Sequence, residues 1–257
     1  MDIIIISITA LLASLMTFFT GFGLGTILTP VFAIFFPIDI AIALTGIVHL
    51  LNNLFKLALV GKEANKTVVL KFGIPAIIAA FIGAELMITL STLPEIFSYT
   101  LFGKEFFILP IKIIVAVLMI TFALMEALPK LKSMQFNSNK LYLGGALSGF
   151  FGGLSGHQGA FRSAFLIRAG LSKEAFIATG VTIACLIDFT RLSVYFSKFL
   201  SAGITDNLNY IISAAISAFV GAYFGKKLLK KITLNTLQLM VSVLIILLAV
   251  LLGMGII

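Results

Sequence analysis

Long apolar segments, separated by short polar stretches, make up most of this chain. They lie at about 3–36, 40–60, 67–92, 106–128, 141–169, 175–200, 208–225 and 232–257. Most of them reach the roughly 20 residues that an α-helix needs to cross the hydrocarbon core of a bilayer. Because a segment in lipid has to satisfy its own backbone hydrogen bonds, helices are the structure to expect. The pattern therefore predicts an all-α polytopic membrane protein.

Glycines interrupt two of these segments, the first and the fifth. The first is broken at 20–25, which reads TGFGLG, and the fifth at 152–159, which reads GGLSGHQG. Each Gly inside a helix costs about 1 kcal/mol relative to Ala, so neither segment is expected to form one continuous helix. We expect a discontinuous pair of helices in each, with the second helix beginning at about Thr26 and Ala160.

The two halves of the chain resemble each other. A shift of 134 residues matches several pairs, among them Ser14 with Ser148, Gly25 with Gly159, and Thr45-Gly46 with Thr179-Gly180. Apolar sequences match often by chance, but a glycine-broken segment also opens each half. This order predicts an internal duplication, the expected plan of a secondary transporter. We place the first transmembrane repeat at 1–128, a cytoplasmic linker at 129–140, and the second transmembrane repeat at 141–257.

The distribution of Lys and Arg bears on topology. If each broken segment is a re-entrant hairpin, eleven basic loop residues fall on one side of the membrane, and only Lys104 and Lys198 fall on the other. If each broken segment crosses once, the two sides are nearly balanced. Because cytoplasmic loops are enriched in Lys and Arg, the hairpin alternative is favoured. It places both termini outside the cytoplasm and inverts the second repeat relative to the first. Full spans remain the alternative.

Composition excludes several other classes of protein. Hydrophobic residues account for 60% and charged residues for 11%, and the mean hydropathy is +1.18. A soluble domain has about 25% charged residues. A single cysteine, Cys185, excludes an intramolecular disulfide. The net charge of +8 is explained by cytoplasmic loops, so we expect the lipid bilayer and no nucleic acid as a partner.

The glycine breaks are the first candidate site. Gly21, Gly23 and Gly25 in the first, with Gly156 and Gly159 in the second, would let the backbone approach a ligand closely. Each following helix would bring free N–H groups and a positive dipole end to the break, which suits an anion. Glycine-rich segments in membranes also serve as helix-packing faces, and that alternative stays open.

Polar side chains inside apolar segments are the second candidate. Such residues mark either a substrate pathway or an interhelical network. The substrate-binding candidates are His49, Asn52, His157, Gln158, Arg162, Asp188 and Arg191. Arg162 could hold an oxyanion with its planar fork, or could pair with Asp188. Lys56 shares a helical face with His49 and Asn52, or extends to the cytoplasmic surface.

The sequence predicts no cofactor and no metal site. The two histidines and one cysteine lack the clustered spacing of metal ligands. No phosphate loop of the form GxxxxGK[ST] is present, so an ATP-driven pump is not indicated. No catalytic residues are assigned, and the chain is not expected to be an enzyme.

The broken segments resemble those of a known family. Residues 19–25 with Pro30, and the run GLSGHQGAFRS at 153–163, are similar to the two repeats of the TauE/SafE sulfite exporter family, also called the toluene sulfonate uptake permease family. The similarity extends to 169–176 and 188–191. It implies a multi-pass permease of the inner or plasma membrane for small sulfur-containing or organic anions, such as sulfite and sulfonates.

The sequence therefore predicts a secondary transporter of a small anion that works by alternating access at a site near the middle of the membrane. An anion channel is the first alternative, and a membrane-embedded enzyme the second. The direction of transport, protons as coupling ion and a homo-oligomer are left open.

Overall fold

The structure is a computed structural model that describes residues 1–17, 23–128, 135–199, 207–228 and 234–257. The helices are α1 (Asp2–Thr17), α2 (Leu24–Ala33), α3 (Ile38–Val60), α4 (Lys66–Ser91), α5 (Pro110–Ala127), α6 (Leu141–Ser155), α7 (Gly159–Leu166), α8 (Lys173–Phe199), α9 (Leu208–Leu228) and α10 (Leu234–Gly253). Short 3₁₀ turns lie at Gly61–Glu63 and Ser138–Lys140. The predicted all-α polytopic membrane fold is confirmed.

Four helical segments in the described part of the chain are long and apolar enough to cross a membrane. They are Ile38–Glu63, Lys66–Ser91, Lys173–Phe196 and Leu208–Gly225. Large apolar side chains on α4 point outwards, with Ile74, Ile78 and Phe81 more than half exposed. In water such a face would be costly, and against lipid chains it is the expected surface.

Both predicted helix breaks are present. The first break separates α1 from α2, and residues 18–22, including the candidate Gly21, lie outside the described residues. In the second, α6 ends at Gly156 in the left-handed conformation (φ 82°), and α7 begins at Gly159. Since φ near 80° is unfavourable for residues with a Cβ, Gly156 suits this turn.

Within the described residues, a two-stranded antiparallel hairpin departs from the predicted all-helical pattern. Strands β1 (Phe97–Leu101) and β2 (Lys104–Ile108) pair, so the predicted helix at 106–128 begins only at Pro110. The turn residues Phe102 and Gly103 have φ of 51° and 76°. Pro lacks an N–H and is favoured in the first turn of a helix, which explains the later start.

The helix contacts follow the order expected of a duplicated fold. Helix α1 packs on α9 and α4 packs on α6, while α3 contacts α8 and α5 contacts α10. Gly221 lies against the backbone of Leu11, and Gly83 lies against the backbone of Phe150, so a Cβ at either glycine would collide. Close approach through small residues is typical of membrane helices. The internal duplication and the boundaries of the two repeats stay predictions.

Candidate functional site

Asp188 on α8 is the centre of a buried polar cluster. Its Oδ2 accepts hydrogen bonds from His49 Nδ1 at 2.6 Å and Asn53 Nδ2 at 3.3 Å. Its Oδ1 accepts from Arg191 Nε and Gln158 Nε2, each at 3.0 Å. The carboxylate is fully buried, and burial of a charge requires such partners. The cluster joins α3, the second helix break and α8.

Helical spacing explains how these donors reach one carboxylate. His49 and Asn53 are four residues apart on α3, and Asp188 and Arg191 are three apart on α8, so each pair shares a helical face. Within α8, Arg191 Nη2 lies 2.8 Å from Asp188 Oδ1. Sequence reasoning did not include Asn53 in the site. Its spacing from His49 is the signal that would have found it.

The Arg191 guanidinium lies between glycines of the two halves. A Cβ added at Gly46 would be 3.3 Å from Arg191 Cζ, and one added at Gly156 would be 2.7 Å from Nη1. The group is fully buried, and Nη1 has no hydrogen-bond partner within the described part of the chain. Because Gly46 and Gly156 have no side chains, the guanidinium has room between them.

Arg162 lies in the first turn of α7 and is also buried. Its Nη1 donates to Gln158 Oε1 at 3.1 Å. Because the same amide donates to Asp188 through Nε2, Gln158 links the second arginine to the central carboxylate. The Gln158 carbonyl in turn accepts from Ser148 Oγ at 2.7 Å. The conformation of the helix break is thus stabilised by Gln158, which contacts Ser148, Arg162 and Asp188.

His157 lies in the same break and is held on two sides. Its Nδ1 is 3.0 Å from both the carbonyl oxygen and Oγ of Ser155. Its ring stacks on Phe122 of α5, with centroids 5.5 Å apart and an interplanar angle of 10°. The Nδ1 side of the ring therefore binds within the break itself.

The two helix breaks meet. A Cβ added at Gly25 would lie 3.3 Å from the Gly156 carbonyl oxygen and 3.9 Å from His49 Cδ2. Gly23 precedes α2 with φ 114°, and Gly159 begins α7. The first amides of a helix have no intrahelical acceptor. Both short helices thus start close to the Asp188 cluster, and their N-termini carry positive partial charge.

Asn52 lies apart from the Asp188 cluster. With its donors matched to acceptors, its amide nitrogen donates to Ser14 Oγ at 3.0 Å and to the Ala218 carbonyl at 3.2 Å, while its oxygen accepts from Lys56 Nζ at 3.2 Å. It therefore joins α3 to α1 and α9. Lys56 is 4% exposed, so the alternative in which it extends to the surface is wrong.

Three basic side chains lie buried at or near the cluster. They are Lys56, Arg162 and Arg191, and the Asp188 carboxylate is buried with them. Lys56 follows His49 by about two helical turns. Guanidinium groups in a low-dielectric interior attract a negatively charged ligand more strongly than they would in water. The described residues contain no group of three or more His, Cys, Asp or Glu that could hold a metal ion.

A family model matches this chain. The model for Sulfite exporter TauE/SafE matches residues 6–252, nearly the whole chain. The chain belongs to the TauE/SafE family. TauE/SafE proteins are membrane transporters of sulfur-containing anions, so this chain is a multi-pass membrane protein of a transporter family rather than of an enzyme family. No match is found among curated proteins or solved structures.

Proposed function

We propose that this protein is a secondary transporter that carries a small oxyanion through the Asp188 cluster. The observation that carries the proposal is the placement of two buried guanidinium groups at the second helix break: Arg191 lies against Gly156, and Arg162 lies in the first turn of α7. The N-terminus of α7 adds positive partial charge there, and a bound anion is stabilised by both.

The geometry suits an oxyanion. Arginine presents a planar fork of donors that matches paired oxygens. Arg191 Nη1 is a buried donor that makes no hydrogen bond of standard geometry within the described residues, and the starts of α2 and α7 add backbone donors nearby. We assign binding to Arg162 and Arg191 with the backbone at Gly25, Gly156 and Gly159. His49, Gln158 and Asp188 position the two arginines.

Family membership supports the substrate class. We propose a sulfur-containing oxyanion or small organic acid, such as sulfite or a sulfonate, moved across the cell membrane. A sulfur oxyanion presents several acceptor oxygens on one small tetrahedral or pyramidal centre, which two guanidinium groups can contact from different sides.

Alternating access would move the two halves against each other. The charged members of the cluster are at most 6% exposed, so the described state encloses the site. The contacts between Gly25 and Gly156, and between His49 and Asp188, join the two proposed repeats. Opening the site to either side would separate one repeat from the other at these contacts.

The test is counterflow in liposomes that contain the purified protein. With unlabelled sulfite trapped inside, external labelled sulfite should accumulate transiently, since a carrier exchanges substrate and a channel does not. Arg162→Ala should abolish this uptake. Arg168→Ala is the matched control, because Arg168 is exposed and donates to Gln135 on the surface. Uptake by Arg162→Ala at the wild-type rate would exclude Arg162 from the site, and rapid equilibration without accumulation would favour the channel.

A further inference from the structure

The position of the hydrogen on His157 is fixed by its neighbours. The Ser155 carbonyl oxygen, 3.0 Å from His157 Nδ1, can only accept a hydrogen bond. Ser155 Oγ donates its own hydrogen to the Phe151 carbonyl at 3.1 Å, so towards His157 it too acts as an acceptor. Both contacts require a hydrogen on Nδ1. In a neutral imidazole the other nitrogen, Nε2, then carries a lone pair.

That lone pair is buried and unused. His157 Nε2 has no hydrogen-bond partner within the described residues. The ring lies flat on Phe122, which also packs edge-on against Phe161, so its surroundings on that side are apolar. A buried acceptor left without a donor costs free energy. A second hydrogen on the ring would instead place an imidazolium close to Arg191, which lies against the adjacent Gly156.

The second helix break therefore offers one unused group of each kind. Arg191 Nη1 is a donor that lacks an acceptor, and His157 Nε2 is an acceptor that lacks a donor. Arg191 Nη1 lies against Gly156, the residue that directly precedes His157 in the break. A fully deprotonated oxyanion brings only acceptors and would leave Nε2 unpaired. A monoanion that also carries an O–H or N–H group matches both.

We propose that the site selects anions that carry their own hydrogen-bond donor, and that His157 Nε2 accepts that hydrogen while Arg191 holds the anionic oxygens. The inference rests on the proposed function, because it concerns the ligand of the same site. For the sulfur oxyanions it favours a protonated monoanion or an amino- or hydroxyl-bearing sulfonate over a dianion or a simple alkyl sulfonate.

Two ligands of equal charge and nearly equal shape test whether the site prefers an anion that carries a hydrogen-bond donor. Sulfamate and methanesulfonate are both monoanions at neutral pH, and they differ in an NH₂ group in place of CH₃. Binding of each to the full-length protein in detergent is measured by titration calorimetry. We expect sulfamate to bind about tenfold more tightly, the effect of one buried hydrogen bond.

Two variants test whether His157 causes the preference for sulfamate over methanesulfonate. His157→Phe keeps a ring against Phe122 and removes the acceptor, so the preference should fall to about twofold or less. Phe122→Leu removes the stacking partner and keeps the acceptor, so the preference should persist. Equal affinities of the wild-type protein for sulfamate and methanesulfonate would overturn the proposal, and this measurement does not depend on the folding of any variant. An undiminished preference for sulfamate in His157→Phe would overturn it too. If sulfite, thiosulfate and both of these ligands all fail to bind, the proposed function itself fails.

Discussion

His49 Nδ1 donates to Asp188 Oδ2 across 2.6 Å, and this hydrogen bond joins positions 139 residues apart in the chain. His49 lies on α3 and Asp188 on α8, which are corresponding helices of the two proposed repeats. Asp188 also holds Arg191 through two nitrogen contacts. The Asp188 carboxylate thus binds Arg191 on its own helix and His49 from the other half of the chain.

Removing the charge of Asp188 should cost far more than removing one of its partners. Asp188→Asn leaves the buried Arg191 guanidinium without its counter-ion, and we expect a loss of about 3–5 kcal/mol in unfolding free energy. His49→Ala leaves the carboxylate with Arg191, Gln158 and Asn53, and should cost about 1–3 kcal/mol. Thermal unfolding in detergent measures both.

Glu105→Gln is the control for these variants, because Glu105 is exposed on the β-hairpin. It should leave the melting temperature within experimental error of the wild type. An equal loss of stability in Asp188→Asn and His49→Ala would show that the carboxylate is not the centre of the cluster.

The helix breaks could be predicted from sequence because their cause is local. Dense glycine opposes a helix wherever it occurs, and the second helices begin at Leu24 and Gly159, close to the expected positions. The β-hairpin was missed because Phe106 and Phe107 extend the apolar run that precedes Pro110. Apolarity alone does not separate a short strand from the start of a helix.

The contacts within the site could not be predicted from the sequence, because they depend on how the helices pack. Asn52 and Asn53 differ by one position, which rotates a side chain by about 100° around a helix. Asn53 therefore reaches Asp188, and Asn52 reaches Ser14 on the other side of α3. Sequence spacing could show that both are near the polar face, but only the packing of α1 and α8 against α3 decides which one joins the cluster.

Arg162→Lys should weaken substrate binding without abolishing it. Lysine keeps the positive charge near Gln158 and loses the planar fork that contacts two oxygens at once. We expect sulfite affinity to fall about tenfold, the value of one charge-assisted hydrogen bond. Calorimetric titration of the variant against the wild type measures it. An unchanged affinity would mean that Arg162 contributes charge alone.

The proposed topology can be tested by cysteine labelling in intact cells. Cys185 is buried and is first replaced by Ser. Phe102→Cys, at the fully exposed turn of the β-hairpin, should then react with a membrane-impermeant reagent, because the charge asymmetry places this hairpin outside. Asn137→Cys, in the proposed cytoplasmic linker, should react only after lysis. The reverse pattern would contradict the re-entrant arrangement.

Gly156→Ala should stop transport for a reason beyond backbone strain. Gly156 has φ 82°, and an added Cβ would lie 2.7 Å from Arg191 Nη1. The methyl group would displace the guanidinium from the break. We expect a strain cost of about 1–2 kcal/mol from the left-handed conformation, together with loss of counterflow.

Gly170→Ala is the matched control for this change. Gly170 has φ 69°, and an added Cβ there meets nothing within 4 Å. The two variants thus carry the same kind of backbone strain, and only Gly156→Ala crowds Arg191. Gly170→Ala should lower the melting temperature through the backbone strain that both variants share, and Gly156→Ala should lower it at least as much because it also crowds Arg191. Counterflow should be lost in Gly156→Ala and retained in Gly170→Ala. If both variants transport sulfite normally, the space at Gly156 does not serve the substrate, and the guanidinium it borders is part of the packing alone.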